Sequence, residues 1–225
     1  MRKIVLCLSG GFDSSATAAL FHEKYELYPI FFNYNQPSLV GEHTAALRVV
    51  RELNLPELTV AALPLWPSQA TRQVERHVDY CSHRNLYFGA AACNFADNIG
   101  AEAIWFGFVA DADERCFPDA TLSFAENYSR FLRQIYGSQG TFMIDAPNGK
   151  RTKEDLARMI IQTGFRSELT YSCAYAPPRC GACRSCQAVI KAFEAIYSSH
   201  DEDFAMRARM RDPYCQTLQP AESGV

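Results

Sequence analysis

The sequence has no apolar run long enough to cross a membrane. Its first apolar run, residues 3–8, is too short for the hydrophobic segment of a signal peptide and is followed at once by Ser-Gly-Gly. Basic residues are not in excess, since 22 Lys and Arg against 25 Asp and Glu give a net charge of −3, so direct nucleic-acid binding is not expected. Internal repeats and low-complexity segments are also absent. These absences predict a cytoplasmic protein with no membrane association and one α/β core.

Cysteine is abundant, and in a cytosolic chain that points to a metal site or to catalysis rather than to disulfides. Nine cysteines are present, and four of them fall within residues 173–186: Cys173, Cys180, Cys183 and Cys186. Four thiolates can close a tetrahedral site around a structural Zn²⁺. An iron–sulfur cluster is the alternative, because its cysteines can show the same spacing. The five other cysteines are expected to be small buried apolar side chains: Cys7, Cys81, Cys93, Cys116 and Cys215. A functional role is left open for Cys81 and Cys116, because they lie near the predicted site.

The N-terminal segment predicts a strand, a glycine turn and a helix. The apolar run ends at Ser9-Gly10-Gly11, and a helix is expected to open near Ser14. Two glycines let the backbone approach an anion closely, and the start of the helix adds free N–H groups and the positive end of the helix dipole. No Lys follows the glycines, so this is not a Walker A loop, and Gly-x-Gly-x-x-Gly is also absent. The turn is interpreted as a phosphate nest, the alternative being a tight strand–helix turn without a ligand.

Strands and helices alternate along the rest of the chain, which predicts a parallel sheet covered on both faces. Further strands are expected over 27–32, 57–65, 103–109 and 142–144, and helices over 42–55, 85–99, 122–135 and 152–163. An irregular loop is expected over 66–83. Polar segments follow three strands, at 9–14, 33–36 and 107–113, and ligands of such sheets bind at the carboxyl ends of the strands.

The string Ser9-Gly-Gly-x-Asp-Ser14 resembles the pyrophosphate loop of the N-type ATP pyrophosphatases. Together with the late cysteine cluster, residues 1–198 resemble the QueC family of 7-cyano-7-deazaguanine synthases. The matching pieces are Leu8–Ser14, Phe32–Gln36, Arg84-Asn85, Phe117–Asp119, Thr152–Asp155 and Tyr171–Cys173 with the Cys-Gly-x-Cys-x-x-Cys run. The resemblance implies a Rossmann-like adenine nucleotide alpha hydrolase fold over 1–165, a small zinc-binding element over 166–200 and a partly flexible tail over 201–225. It also implies a homodimer.

The same resemblance implies the chemistry and the residues that carry it. ATP, with Mg²⁺, would adenylylate 7-carboxy-7-deazaguanine, ammonia would give the amide, and a second activation would give the nitrile preQ0. The implied catalytic residues are Asp13, Ser14 and Lys153. Asp13 would hold Mg²⁺, and Lys153 would bind phosphate, the alternative being a solvated lysine without a catalytic role. The implied ATP-binding residues are Leu8, Ser9, Gly10, Gly11, Phe12, Tyr34 and Gln36, the last two with loop packing as the alternative. The implied substrate-binding residues are Arg84, Asn85 and Asp119, where the alternatives are a surface salt bridge for Arg84 and a cap of the following helix for Asp119.

Departures from the family pattern fall at the substrate end. Phe108 or Val109 stands where the family tends to carry Asn, and Thr121 stands where it tends to carry Arg. Pro37-Ser38 and Cys81–His83 also differ from the family's strings. An alternative is therefore a paralogue that joins the same or a related acid to another amine, for example on a protein in a defence system. A non-catalytic nucleotide sensor is the third reading, against which Asp13, Ser14 and Lys153 argue.

Overall fold

The computed structural model describes residues 1–63, 65, 81, 83–111, 117–137 and 143–197. Five strands lie at β1 (Lys3–Cys7), β2 (Glu26–Asn33), β3 (Thr59–Ala62), β4 (Ala103–Trp105) and β5 (Met143–Asp145). The helices are α1 (Phe12–Phe21), α2 (Leu39–Glu52), α3 (Arg84–Ile99), α4 (Leu122–Tyr136), α5 (Lys153–Thr163) and α6 (Arg184–Tyr197), with a 3-10 turn at Ser167–Leu169. Most of the loop predicted over 66–83, together with Cys116, Cys215 and the predicted tail, lies outside the described residues.

The strands form one sheet in the order β3-β2-β1-β4-β5, and every neighbouring pair is parallel. Leu6 of β1 lies opposite Pro29 of β2 and Trp105 of β4. The strand that leads into the glycine loop is thus central, and the carboxyl ends of β2 and β4 flank it. This confirms the predicted α/β fold with a parallel sheet.

Alternation along β1 supplies both faces of the sheet. Ile4 and Leu6 join a buried cluster that includes α1, α5 and α6, whereas Val5 and Cys7 join a second cluster that includes α3 and α4. The odd and even side chains of a strand point to opposite faces, so one short run serves two cores. Helices therefore cover both faces, as predicted.

Two strands are shorter than predicted. The run 103–109 gives only Ala103–Trp105, because the chain then crosses the start of α1 at Gly107. A Cβ at Gly107 would lie 2.6 Å from the Cα of Ser14. Phe106 and Val109 are buried all the same, Phe106 in the cluster with α3 and α4 and Val109 in the cluster with α1, α5 and α6. The strand predicted over 57–65 likewise forms only over Thr59–Ala62.

Helix α6 was not among the predicted helices. It nevertheless shows helical spacing of apolar residues, and Val189, Phe193 and Ile196 are fully buried. Phe193 contacts Phe12 of α1 edge-on, with ring centroids 5.5 Å apart. The helix that follows the cysteines therefore packs on the helix that follows the glycine loop.

Among the helices of the described segments, none combines the length and the apolar character that a membrane crossing requires.

Candidate active site

A cavity of about 360 Å³ opens at the carboxyl ends of β1, β2 and β4. Ten of the residues predicted for the site line it: Ser9, Gly11, Phe12, Asp13, Ser14, Tyr34, Gln36, Arg84, Asn85 and Lys153. Within the described part of the chain, Leu8, Gly10 and Asp119 are not in its wall. Leu8 is fully buried in the core, and its N–H donates to the carbonyl of Ile30 at 2.9 Å.

The glycine loop is held by its own serines. The N–H of Ser9 donates to Ser14 Oγ at 3.2 Å, and the N–H of Gly11 donates to Ser9 Oγ at 3.2 Å. The two hydroxyl oxygens lie 3.0 Å apart. The loop is thereby closed against the first turn of α1, whose N-terminal N–H groups and dipole favour an anion.

Gly10 is required by packing as well as by backbone conformation. Its φ is +76°, in the left-handed region that favours glycine, and a Cβ there would lie 2.2 Å from the carbonyl oxygen of Glu42 in α2. The sequence suggested an approach to phosphate as the reason for both glycines. The structure instead gives Gly10 a role in seating α2 against the loop, and it leaves Gly11 in the cavity wall.

Lys153 reaches the loop from the start of α5 and forms an ion pair with Asp13. Its side chain is only 13% exposed, and its ammonium lies 5.7 Å from the centroid of the Phe12 ring. Thr152 and Asp155 form a capping box at the start of α5, so the backbone that carries Lys153 is rigidly held. Asp111, from the loop after β4, accepts from the N–H of Lys153 at 3.1 Å.

A buried polar chain fixes the turn before α5 to α1. Asn148 is fully buried and donates to Thr17 Oγ1 at 2.9 Å, while Thr17 donates to the carbonyl of Asp13 at 2.9 Å. Arg151 donates to Asn148 Oδ1 at 2.6 Å. Because each group is paired, the chain holds the segments that carry Asp13 and Lys153 in one register.

Aromatic rings line the remainder of the cavity. Phe32 and Phe88 are stacked with centroids 4.3 Å apart, and Phe106 and Phe108 are stacked at 4.7 Å. Such surfaces suit a flat heterocycle, since aromatic rings prefer offset stacking. Phe108 therefore extends an apolar wall, and it is one of the two residues, with Val109, that stand where the resemblance leads us to expect Asn.

Arg84 and Tyr34 meet across the cavity. Arg84 Nη1 donates to Tyr34 Oη at 3.0 Å, and its guanidinium lies 5.9 Å from the centroid of the Tyr34 ring and 5.6 Å from that of Phe117. The guanidinium thus lies within about 6 Å of two rings, and its planar fork is suited to a carboxylate or phosphate.

Gln36 has a structural role that the sequence had left as an alternative. Its amide donates to the carbonyl of Phe32 at 3.1 Å and to Glu42 Oε2 at 2.9 Å, and its Oε1 accepts from the N–H of Tyr34 at 3.0 Å. The side chain is only 5% exposed. These three bonds shape the turn after β2 and hold Tyr34 at the cavity.

Asp119 contacts Asn85 at the start of α3. Its Oδ2 accepts from the N–H of Asn85 at 3.2 Å, and Asn85 Nδ2 donates to its carbonyl at 2.8 Å. The helix that follows Asp119 is capped by Thr121 instead, whose Oγ1 accepts from the N–H of Phe124 at 3.0 Å. Thr121, which departs from the family pattern, has thus become a helix cap.

The four late cysteines come together as a possible metal site. Their Sγ atoms all lie within 4.8 Å of one another, and a tetrahedral Zn²⁺ site with Zn–S of about 2.3 Å requires sulfurs about 3.8 Å apart. The N–H of Cys183 donates to Cys180 Sγ at 3.2 Å, and that of Cys186 donates to Cys183 Sγ at 3.4 Å. Burial opposes ionisation of Cys180, but hydrogen bonds from the backbone N–H groups of Cys183 and Ala182 lower its pKa to about 7. The donor set therefore fits a thiophilic metal.

The other described cysteines have the character of packing residues. Burial raises the pKa of Cys7, and it raises the pKa of Cys93 to about 11. Burial also raises the pKa of Cys81, more than the nearby Arg84 lowers it. Thiols with raised pKa values are poor nucleophiles at neutral pH.

Several cavity residues were assigned no role from the sequence. Ser172 lies directly before the first metal-site cysteine, and the wall also includes Glu42, Asp111 and Arg184. Only folding brings these residues together. Asp111 fell within a polar segment that had been singled out after the fourth strand, but Arg184 carried no signal beyond its position between two cysteines.

The sheet order and the Ser-Gly-Gly-x-Asp-Ser loop at the end of the first strand define an ATP pyrophosphatase-type fold. The U34-tRNA thiolase NcsA from Methanococcus maripaludis, whose structure was solved with its 4Fe-4S cluster, shares the fold with a TM-score of 0.54 and 15% identity. The match covers 100% of this chain and 74% of the thiolase.

Sequence relatives define the family. A family model described as "Queuosine biosynthesis protein QueC" matches residues 3–197. The 7-cyano-7-deazaguanine synthase of Acidobacterium capsulatum is 30% identical, with 85% of this chain and 92% of that protein covered. The synthase of Methanothermobacter thermautotrophicus is 32% identical, with 86% and 95% covered. The chain belongs to the QueC family and is an ATP-dependent ligase.

Proposed function

We propose that this enzyme adenylylates the carboxylate of a 7-deazaguanine acid and converts 7-carboxy-7-deazaguanine to 7-cyano-7-deazaguanine. A carboxylate oxygen attacks the α-phosphorus of ATP and pyrophosphate leaves. Ammonia then attacks the acyl carbon, AMP leaves, and the amide forms after loss of a proton. In a second round the amide oxygen attacks the α-phosphorus of another ATP and pyrophosphate leaves. Loss of AMP and of both N–H protons then leaves the nitrile. The observation that carries the proposal is the Asp13–Lys153 ion pair at a glycine loop inside an aromatic cavity.

The phosphate half of the site offers charge of both signs. Lys153 would offset negative charge on the α-phosphate and the departing pyrophosphate, and the start of α1 would add N–H donors. Ser9, Gly11 and Ser14 form the loop against which the pyrophosphate would rest. Asp13 fits the role of a carboxylate ligand to Mg²⁺, which, when bound with ATP, neutralises phosphate charge.

The half of the cavity that would bind the deazaguanine acid offers stacking surfaces and the flat guanidinium of Arg84. Phe32 and Phe88 would hold a deazapurine ring by stacking. Arg84 would orient the substrate carboxylate with its fork. We also propose that Asn85, held by Asp119, lines this half, with Asp119 acting through Asn85 rather than by contact with the substrate.

A second candidate follows from Phe108 and Thr121. The wall that would receive the incoming amine is extended by the Phe106–Phe108 stack, and Thr121 caps α4. A site with fewer polar groups supports an alternative in which the acyl adenylate is passed to an amine other than ammonia and the product remains an amide.

We propose a structural Zn²⁺ at the four cysteines, since a closed thiolate site leaves no position for water. The same proposal divides the chain into a catalytic unit over 1–165, a metal element over 166–200 and a tail over 201–225. We also propose that the protein is a homodimer and that it is located in the cytoplasm, where thiols stay reduced.

The first test is ATP–pyrophosphate exchange dependent on 7-carboxy-7-deazaguanine. Asp13→Asn and Lys153→Met should each lose exchange by at least about 100-fold, since each removes a charge at the reacting phosphates. The matched controls Asp97→Asn and Lys191→Met change exposed residues on α3 and α6 and should retain exchange. Equal activity in Asp13→Asn and the wild type would contradict the assigned role.

The second test is mass spectrometry of the products formed from ATP, the deazaguanine acid and ammonia. The nitrile supports the synthase, whereas an amide that accumulates without dehydration supports the second candidate. Nucleotide binding without exchange for any acid would support a sensor and remove both enzymatic proposals.

A further inference from the structure

The metal element contacts the glycine loop through the two residues before its first cysteine. The N–H of Tyr171 donates to the carbonyl of Gly10 at 2.7 Å. The N–H of Phe12, in the first turn of α1, donates to Ser172 Oγ at 2.9 Å. Cys173 follows directly and is fully buried. The segment between the cysteine site and the loop is therefore bound to the loop on both sides of Gly11.

Tyr171 fixes this segment firmly. Its ring occupies the space above Gly41, where a Cβ would lie 2.4 Å from the ring, and its hydroxyl donates to the carbonyl of Tyr175 at 2.8 Å. It packs in one buried cluster with Ala45, Cys173 and Cys186. Two of the four sulfurs thus belong to the same packed unit as the residue beside Ser172.

Ser172 is placed to do more than accept one hydrogen bond. Its Oγ accepts from Phe12, and a serine hydroxyl still has its own O–H to donate. Ser172 lines the cavity together with Ser9, Gly11 and Lys153. An anion at the start of α1 would meet this hydroxyl at the same turn as the loop serines.

We propose that Ser172 is a pyrophosphate-binding residue and that the cysteine element supplies it to the ATP site. Its hydroxyl donates to a phosphate oxygen while its oxygen holds Phe12 N–H, so the metal element forms one wall of the pyrophosphate pocket. Ser172 has this role only if the cavity binds ATP as proposed above. The test therefore measures pyrophosphate binding directly, without turnover.

The experiment is calorimetric titration of pyrophosphate with Mg²⁺ into the metal-loaded protein. Ser172→Ala should weaken binding about ten-fold or more, since a hydrogen bond to a charged group is lost. Ser172→Thr, which keeps a hydroxyl, should stay within about three-fold of the wild type. Ser123→Ala changes an exposed serine of α4 and serves as the matched control. Metal content, measured on each protein, should be unchanged.

Three outcomes would overturn the proposal. Ser172→Ala could bind pyrophosphate within two-fold of the wild type, which removes the contact. It could lose its metal along with its affinity, which shows a purely structural serine. A wild-type protein that binds no pyrophosphate would remove both this role and the ATP site, whereas normal pyrophosphate binding without acid-dependent exchange would remove the proposed reaction alone.

Discussion

Replacing Gly10 by alanine should destabilise the protein in two ways, through backbone strain and through overpacking. A residue with a side chain at φ +76° pays about 1–2 kcal/mol for left-handed backbone. The added Cβ would also lie 2.2 Å from the carbonyl oxygen of Glu42 and 2.7 Å from the backbone nitrogen of Ala46. Because both atoms belong to the backbone of α2, they cannot move alone, and overpacking adds about 1–3 kcal/mol. We expect a total loss of about 2–5 kcal/mol.

Gly100 is the matched control. Its φ is +65° at the end of α3, and a Cβ there would meet nothing within 4 Å, so Gly100→Ala should cost only the backbone strain of about 1–2 kcal/mol. Urea unfolding of the metal-loaded proteins, followed by circular dichroism, measures both free energies of unfolding. If the two variants differ by less than about 0.5 kcal/mol, α2 does not press on the loop and the packing explanation is wrong. Gly10→Ala should also weaken pyrophosphate binding, because a shifted α2 displaces the loop.

Three further changes test separate parts of the molecule. Cys183→Ser should lower the bound metal from one equivalent per chain to well below one by elemental analysis, and zinc rather than iron should be the element found in the wild type. The hydrogen bonds from Thr152 lower the pKa of Asp155 below 3.8, so its carboxylate adds stability above that pH and loses it as the pH falls through the lowered pKa. Unfolding curves of wild type and Asp155→Asn should therefore differ at pH 7 and converge in acid; a constant difference would contradict the cap. Asp119→Ala should cost about 1 kcal/mol as the loss of a cap on α3, and a change in exchange rate without any loss of stability would assign it to the substrate instead.

Local patterns predicted the elements that carry the glycine loop. The apolar run before Ser9 and the loop composition are both short-range signals, and β1 and α1 follow from them. The helix predicted over 152–163 starts at Thr152, a residue type that caps helices, and the structure shows the capping box there. The cysteine spacing likewise indicated a cluster before any contact was known.

What the sequence could not predict depends on contacts between distant segments. Gly10 is required because the backbone of α2 packs against it. Ser172 accepts a hydrogen bond from Phe12, which is 160 residues away in the sequence. For Gln36 the sequence left nucleotide contact and loop packing both open, and its three bonds to neighbouring groups form only when the turn after β2 is folded. Helix α6 is a different case, because the helical spacing of Val189, Phe193 and Ile196 is a local signal that could have indicated it.

The central position of β1 lets the two halves of the cavity change independently. The groups proposed to bind phosphate come from the loop after β1, from α1, or from segments bound directly to them, whereas the aromatic walls come from the end of β2, the loops after β2 and β4, and α3. Substitutions such as Phe108 can accumulate in those flanking loops while the residues proposed to bind the phosphates of ATP stay unchanged. A relative of this enzyme can therefore acquire a new acyl acceptor by mutating one side of the sheet edge, with its source of chemical energy already in place.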